Sequence, residues 1–275
     1  MCAAADLRSY YARTFRMRVA LFIPCYIDQL YPDVGFACLE LLEAQGISAQ
    51  VPAQQTCCGQ VLTNRGALRA ARPLAHGFEA TFGGYDYIVC PSGSCAAALH
   101  RHPQALGATP GGAASRVFEL CQFLTQVVGV ERGGPAFPHR VLLHESCHSL
   151  RELGLGQPSE LGARAAAPES PARKLLSLVP ELTLVEPARR DECCGFGGSF
   201  SVAEPDVSAR MGSDRIDDFE AAGAEVVTSA DMSCLMHLSG LMLRQGRRCS
   251  VLHIAQLLVG REPPARGAAE PGGRA

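Results

Sequence analysis

Arg18–Cys25 (RVALFIPC) and Arg140–Cys147 (RVLLHESC) decide the reading of this chain of 275 residues, because the second stretch reproduces the first. Each reads as a short buried strand ending in a cysteine. Further matches follow in the same order: Thr56-Cys57-Cys58-Gly59 with Glu192-Cys193-Cys194-Gly195, and Ile88–Cys95 (IVCPSGSC) with Val227–Cys234 (VTSADMSC). Val117–Leu124 (VFELCQFL) pairs with Val251–Leu258 (VLHIAQLL), read as an amphipathic helix with Gln122 and Gln256 at the same place. Between these, Val34–Ala44 and Ala67–Phe82 have helical character, so short apolar strands alternate with helices. The expected architecture is α/β, with two pseudo-symmetric repeated lobes of parallel β-strands and flanking helices. Residues 17–130 form the first lobe and 139–260 the second, joined by the Gly- and Pro-punctuated Glu131–Pro138. Residues 1–16 read as an N-terminal extension that makes Cys2 irrelevant, Gly154–Pro171 as a loop insertion, and 261–275 as a compositionally disordered tail.

With 47% hydrophobic residues the chain can bury a sizeable core, and a net charge of -2 removes the basic field on which nucleic-acid binding rests. No apolar run reaches the roughly 18 residues of a membrane span, and no secretory leader stands at the front, so a cytoplasmic location is expected. In a reducing compartment the 13 cysteines point to metal ligation or redox chemistry rather than a disulfide framework.

The eight cysteines of the repeat have the form C-x31-CC-x36-C (Cys25, Cys57, Cys58, Cys95) and C-x45-CC-x39-C (Cys147, Cys193, Cys194, Cys234), with a glycine directly after each pair. Loops after parallel strands converge at the carboxyl edge of a sheet, where ligands distant in sequence can meet. Thiolates in fours suit an iron–sulfur cluster or tetrahedral zinc. The glycine permits positive φ and lets backbone N–H groups face the sulfurs. Helices are expected to start after Cys95 and Cys234, their positive ends favouring thiolate. Arg151 is placed to offset cluster charge or to be a solvated surface residue. Cys38 and Cys121 fall in apolar helical runs and read as core, as does Cys249, while Cys90, whose repeat counterpart is Ser229, is a poor fifth ligand. His144, His148 and His237 flank the ligands and are read as hydrogen-bonding neighbours rather than ligands, with contact to a substrate carboxylate or proton as an alternative. Gly195-Phe196-Gly197-Gly198 lacks dinucleotide-binding spacing, and no nicotinamide or flavin site is visible. Two further readings stay open: structural zinc, which typically uses close C-x2-C knuckles absent here, and thiol–disulfide exchange, which adjacent cysteines disfavour on geometric grounds.

The span from Met17 to about Gly260 resembles the lactate utilization protein A family, with its two cysteine-rich CCG domains. More distantly it is similar to the B subunit of heterodisulfide reductase and the iron–sulfur subunit of glycolate oxidase. The phrases that carry this are Gln55-Thr56-Cys57-Cys58-Gly59-Gln60, Pro91-Ser92-Gly93-Ser94-Cys95, His144-Glu145-Ser146-Cys147-His148-Ser149-Leu150-Arg151, Cys193-Cys194-Gly195-Phe196-Gly197-Gly198-Ser199-Phe200 and Asp231-Met232-Ser233-Cys234. The resemblance implies an iron–sulfur electron-transfer subunit of an oxidoreductase complex that oxidises L-lactate to pyruvate without nicotinamide, acting beside other subunits rather than alone. A related glycolate oxidase or heterodisulfide reductase-like complex is the alternative. The heterodisulfide reductase pattern ends in C-x2-C, whereas both halves here end in a single cysteine, which points to one ordinary [4Fe–4S] cluster per half.

Overall fold

A computed structural model describes residues 17–101, 110–160 and 169–263. The expected extension 1–16, with Cys2, lies outside the described residues, as do the middle of the loop insertion (161–168) and most of the tail (264–275). Strand β1 (Val19–Leu21) is buried along its whole length and pairs in parallel with β2 (Ala49–Gln50) on one side and β3 (Tyr87–Cys90) on the other. β4 (Val117–Glu119) closes a sheet of order β2-β1-β3-β4. The second half repeats it with β5 (Arg140–Leu143), β6 (Thr183–Val185), β7 (Val226–Ser229) and β8 (Ser250–His253), in the order β6-β5-β7-β8 and again all parallel. The strands are short apolar runs without strict alternation because helices cover both faces of each sheet. The fold is therefore mixed α/β with two repeated four-stranded parallel sheets, as the sequence repeat implies.

The helices Pro32–Ala44 and Leu68–Phe82 match the expected helical stretches to within two residues at their starts. Two expectations need correction. Val117–Leu124 and Val251–Leu258 do not begin as helices: their first residues are β4 and β8, and helix starts only at Leu120 and Ile254. Glu119 and His253 mark the changeover as N-caps, accepting hydrogen bonds from Gln122 N and Ala255 N. In the second half Gln256 Oε1 accepts from His253 N at 3.0 Å and completes a capping box, whereas Gln122 of the first half donates to Gln126 instead. The second correction concerns Cys95 and Cys234. Each lies inside the first turn of its helix, Gly93–Arg101 or Met232–Gln245, rather than ahead of it.

One apolar core runs through both halves, joining Leu21, Val89 and Phe123 of the first to Val141, Leu142, Val227 and Leu258 of the second. A second cluster under the first sheet packs Phe22 edge-on against Phe78 and Phe82, at centroid distances of 5.4 and 5.7 Å. No helix among the described residues is long and apolar enough to cross a membrane.

Glu119 is buried in this core, and desolvation raises its carboxyl to about 7 from an ordinary value of 4.5. The folded chain thus keeps a proton that the unfolded chain releases, so this stabilisation is complete below pH 4.5 and is lost as pH rises through about 7. Glu119→Gln is expected to keep the cap and to flatten the fall in unfolding free energy measured by urea between pH 5 and 8, by up to about 3 kcal/mol. Parallel pH profiles of the two proteins would show the carboxyl to be uninvolved.

Candidate metal centres

Each half brings its four repeat cysteines to the carboxyl edge of its sheet. Cys25 opens the helix Cys25–Leu30 after β1, Cys57 and Cys58 lie in the loop after β2, and Cys95 follows β3. Cys147 after β5, Cys193 and Cys194 after β6, and Cys234 after β7 repeat the arrangement. The sulfurs form a chain of contacts in each half. Cys57 is hydrogen-bonded to Cys25 and Cys58, and Cys58 Sγ lies 3.2 Å from Cys95 Sγ. Cys193 likewise bonds Cys147 and Cys194, and Cys194 Sγ lies 3.1 Å from Cys234 Sγ. All eight side chains line a single cleft of about 810 Å³, its open mouth included, formed where the two carboxyl edges face each other.

The glycine after each pair has φ of 82° (Gly59) or 85° (Gly195), and its N–H lies 3.4 Å from Cys57 Sγ or Cys193 Sγ. The first cysteine of each pair is the one whose thiol is pushed down in its foursome. Hydrogen bonds from Cys25 and Cys58, with the glycine N–H adding to them, hold the Cys57 thiol far below its usual range, and Cys147 and Cys194 do the same for Cys193. Cys25, Cys58, Cys147 and Cys194 move upward in return, because each shares a proton with that sulfur and loses solvent. The two glycines differ in their room. A Cβ on Gly195 would stand 2.7 Å from both Met211 Cβ and Ser208 O, whereas one on Gly59 meets nothing closer than 3.5 Å. Gly195→Ala is therefore expected to lower the thermal midpoint well beyond Gly59→Ala, which carries only the positive-φ strain of about 1–2 kcal/mol. Equal midpoints would mean that the second Cys-Cys turn shifts without cost.

Four residues outside the cysteine pattern position this site: Asp231, His253, Arg215 and Asp218. Asp231, fully buried, accepts from Ser94 N at 2.8 Å and from Ser233 N at 3.3 Å, so one carboxylate caps the Cys95 helix of one half and the Cys234 helix of the other. A β-bridge between Ser92 and Asp231 and a contact from His253 Nε2 to Pro91 O at 3.1 Å fasten the same junction. Arg215, fully buried, donates to the carbonyls of Arg189 and Arg190 and lies 3.0 Å from Asp218, which accepts in turn from Ala188 N and Arg189 N. These bonds fix the strand-to-loop segment that leads into Cys193. The surrounding sequence offers no repeat partner for them, and the only signal is an Arg and an Asp three apart on one helix.

Arg151 binds Glu160 and Asp191 in ion pairs and ties the loop insertion to the segment before Cys193. Among the three flanking histidines, His148 lies 3.4 Å from Cys147 Sγ and 3.1 Å from Gln60 Nε2 across the cleft, and His237 lies 3.3 Å from Ser208 O. His144 is buried, and burial holds its ring near 3, neutral at ordinary pH. Cys38 and Cys121 are core, Cys249 is buried 3.2 Å from Ala224 O, and Cys90 points to Ser92 O at 3.4 Å instead of into the cleft. Tyr26 and Phe196, one from each half, meet edge-on at 5.9 Å and line the cleft between the foursomes.

The donor set fits a soft-metal group. Each foursome is all sulfur and carries a backbone N–H toward its first paired cysteine, and among the described residues no carboxylate lines the cleft. Cysteine clusters of this kind suggest metal or iron–sulfur binding.

Comparison with known proteins agrees. A family model described as a cysteine-rich domain, CCG, matches residues 19–100 and 141–239. "Lactate utilization protein A" of Exiguobacterium sp. is 40% identical over 248 residues, covering 87% of this chain and 96% of the relative. Proteins of the same name from Geobacillus thermodenitrificans and Oceanobacillus iheyensis are 38% and 36% identical, each across 88% of this chain and 98% and 96% of their own. Among solved structures, an aspartate racemase of Picrophilus torridus aligns over 88% of this chain and 91% of its own with a TM-score of 0.33 and 10% identity, too distant to carry an argument. With two CCG domains, each gathering four cysteines at a sheet edge, and relatives matched over nearly their whole length, the chain belongs to the lactate utilization protein A family.

Proposed function

We propose that this protein is the iron–sulfur electron-transfer subunit of a multi-protein system that oxidises L-lactate to pyruvate, with one [4Fe–4S] cluster held by each cysteine foursome. The observation that carries the reading is the opening of both foursomes on one cleft. When bound, a thiolate-ligated cluster supplies one-electron carriage at a potential set by its ligands and surroundings. The chain's own part is to hold and shape. Cys25, Cys57, Cys58 and Cys95 are the ligands of the first half, and Cys147, Cys193, Cys194 and Cys234 those of the second. Gly59 and Gly195 aim N–H groups at the thiolates, and Asp231 fixes the two last-cysteine helices to each other. Tyr26 and Phe196 keep apolar surface between the foursomes. The partners are the other proteins of the lactate system, a role supported by the name that the relatives share.

Anaerobic purification followed by iron, sulfide and zinc analysis tests the cofactor. Iron with equimolar sulfide is expected, and zinc without sulfide would make the sites structural. The purified chain is expected to be reduced by dithionite yet to turn over no lactate until its partner proteins are added. Lactate oxidation by the chain alone would overturn the carrier role.

A further inference from the structure

The two halves differ at one buried position beside the cysteines. In the first half it is Phe22, packed in the aromatic cluster with Phe78 and Phe82. In the second half the same place in the repeat holds His144, of which 1% is exposed. A ring nitrogen of His144 and the sulfurs of Cys194 and Cys234 all lie within 4.8 Å of one another. The ring meets Phe219 edge-on at 6.0 Å, but neither His144 nitrogen has a hydrogen-bond partner among the described residues. Leaving a buried polar group unsatisfied costs about 1–3 kcal/mol, so a sequence that places an imidazole where its repeat places a phenyl ring holds it there for some bonding partner. His144 also borders a small pocket behind the site, lined by Ser146, Ser149 and Ser170, where an ordered water could serve its other nitrogen.

We propose that His144 is a metal donor of the second site, where it takes the place of one of the four thiolates, so that this site has mixed sulfur and nitrogen ligation where the first has sulfur alone. The inference rests on reading the two foursomes as metal sites. It gives the halves different chemistry on the same scaffold. A neutral imidazole donor puts less negative charge on a cluster than a thiolate does, so the second site is the more easily reduced of the two.

The test uses the full chain reconstituted with iron and sulfide in two backgrounds, Cys57→Ser/Cys58→Ser to leave only the second site and Cys193→Ser/Cys194→Ser to leave only the first. With histidine labelled by 15N, pulsed EPR of the dithionite-reduced protein is expected to show strong directly bonded nitrogen coupling in the second-site background and none in the first-site background. His144→Leu should abolish the coupling and His148→Gln should leave it. The midpoint potential of the second site should lie above that of the first in these backgrounds. Iron retained in the second site with no such coupling, or a coupling that survives His144→Leu, overturns the inference while the carrier reading stands. Iron held by neither background sinks both. Should His144→Leu fail to take up iron, the comparison of the two backgrounds, which leaves His144 intact, still decides.

Discussion

Cys58→Ser and Cys194→Ser are each expected to remove the iron of one half and leave that of the other. Each substituted sulfur sits in the middle of its foursome, bonded to its neighbour in the pair and 3.2 or 3.1 Å from the last cysteine. Serine offers a harder oxygen donor that cannot share charge with iron as a thiolate does. Because the ligands come from three loops per half, binding and loop ordering are one free energy, and the affected half should also become protease-sensitive in its Cys-Cys loop. Cys38→Ser and Cys121→Ala are the controls. Both sulfurs are buried in the core away from the cleft, so these variants should hold full iron at some cost in stability. Burial raises both thiols far above their usual range, which leaves them protonated and without ligand character. Iron counts that fall alike in controls and ligand variants would show that the eight repeat cysteines are not the ligands.

Arg215→Met is expected to destabilise the second half by roughly 3–5 kcal/mol, the usual cost of removing one partner from a buried ion pair. The loss is large because the guanidinium is fully buried and has several partners: the carbonyls of Arg189 and Arg190, Asp218, and the face of Phe219 at 4.6 Å. Methionine restores most of the volume but leaves Asp218 without its cation and two carbonyls without donors. Those carbonyls belong to the segment that delivers Cys193 and Cys194, so the variant should bind iron in the second half more weakly and in the first half normally. Chemical denaturation together with the iron content of the two single-site backgrounds would measure both effects. A variant as stable as the parent, with both sites loaded, would show that the Cys-Cys loop keeps its path without the buried arginine.

The repeat was legible because a parallel α/β unit writes itself locally. Buried strands are short apolar runs such as Val19–Leu21 and Val141–Leu143, and the loops after them must carry the residues that meet at the sheet edge. The cysteine foursomes, the positive-φ glycines and the core placement of Cys38 and Cys121 all followed from residue type and spacing. The fourth strands read as helix in the sequence because two apolar residues and a capping residue ahead of a helix cannot be told from its first turn by periodicity. Only the neighbouring strand, β3 or β7, holds them extended.

The sequence by itself determined the duplicated α/β plan and which cysteines belong together, since both depend on local pattern and on order along the chain. Tertiary structure alone decided that the two foursomes share one cleft, that Asp231 caps a helix in each half, that Arg215 anchors the second Cys-Cys loop, and that His144 stands beside Cys194 and Cys234 with no hydrogen-bond partner for its ring nitrogens among the described residues. These are contacts between residues distant in sequence, formed only when the two sheets pack into one core, and desolvation in that core is what turns an ordinary aspartate, arginine or histidine into a residue that must find a partner.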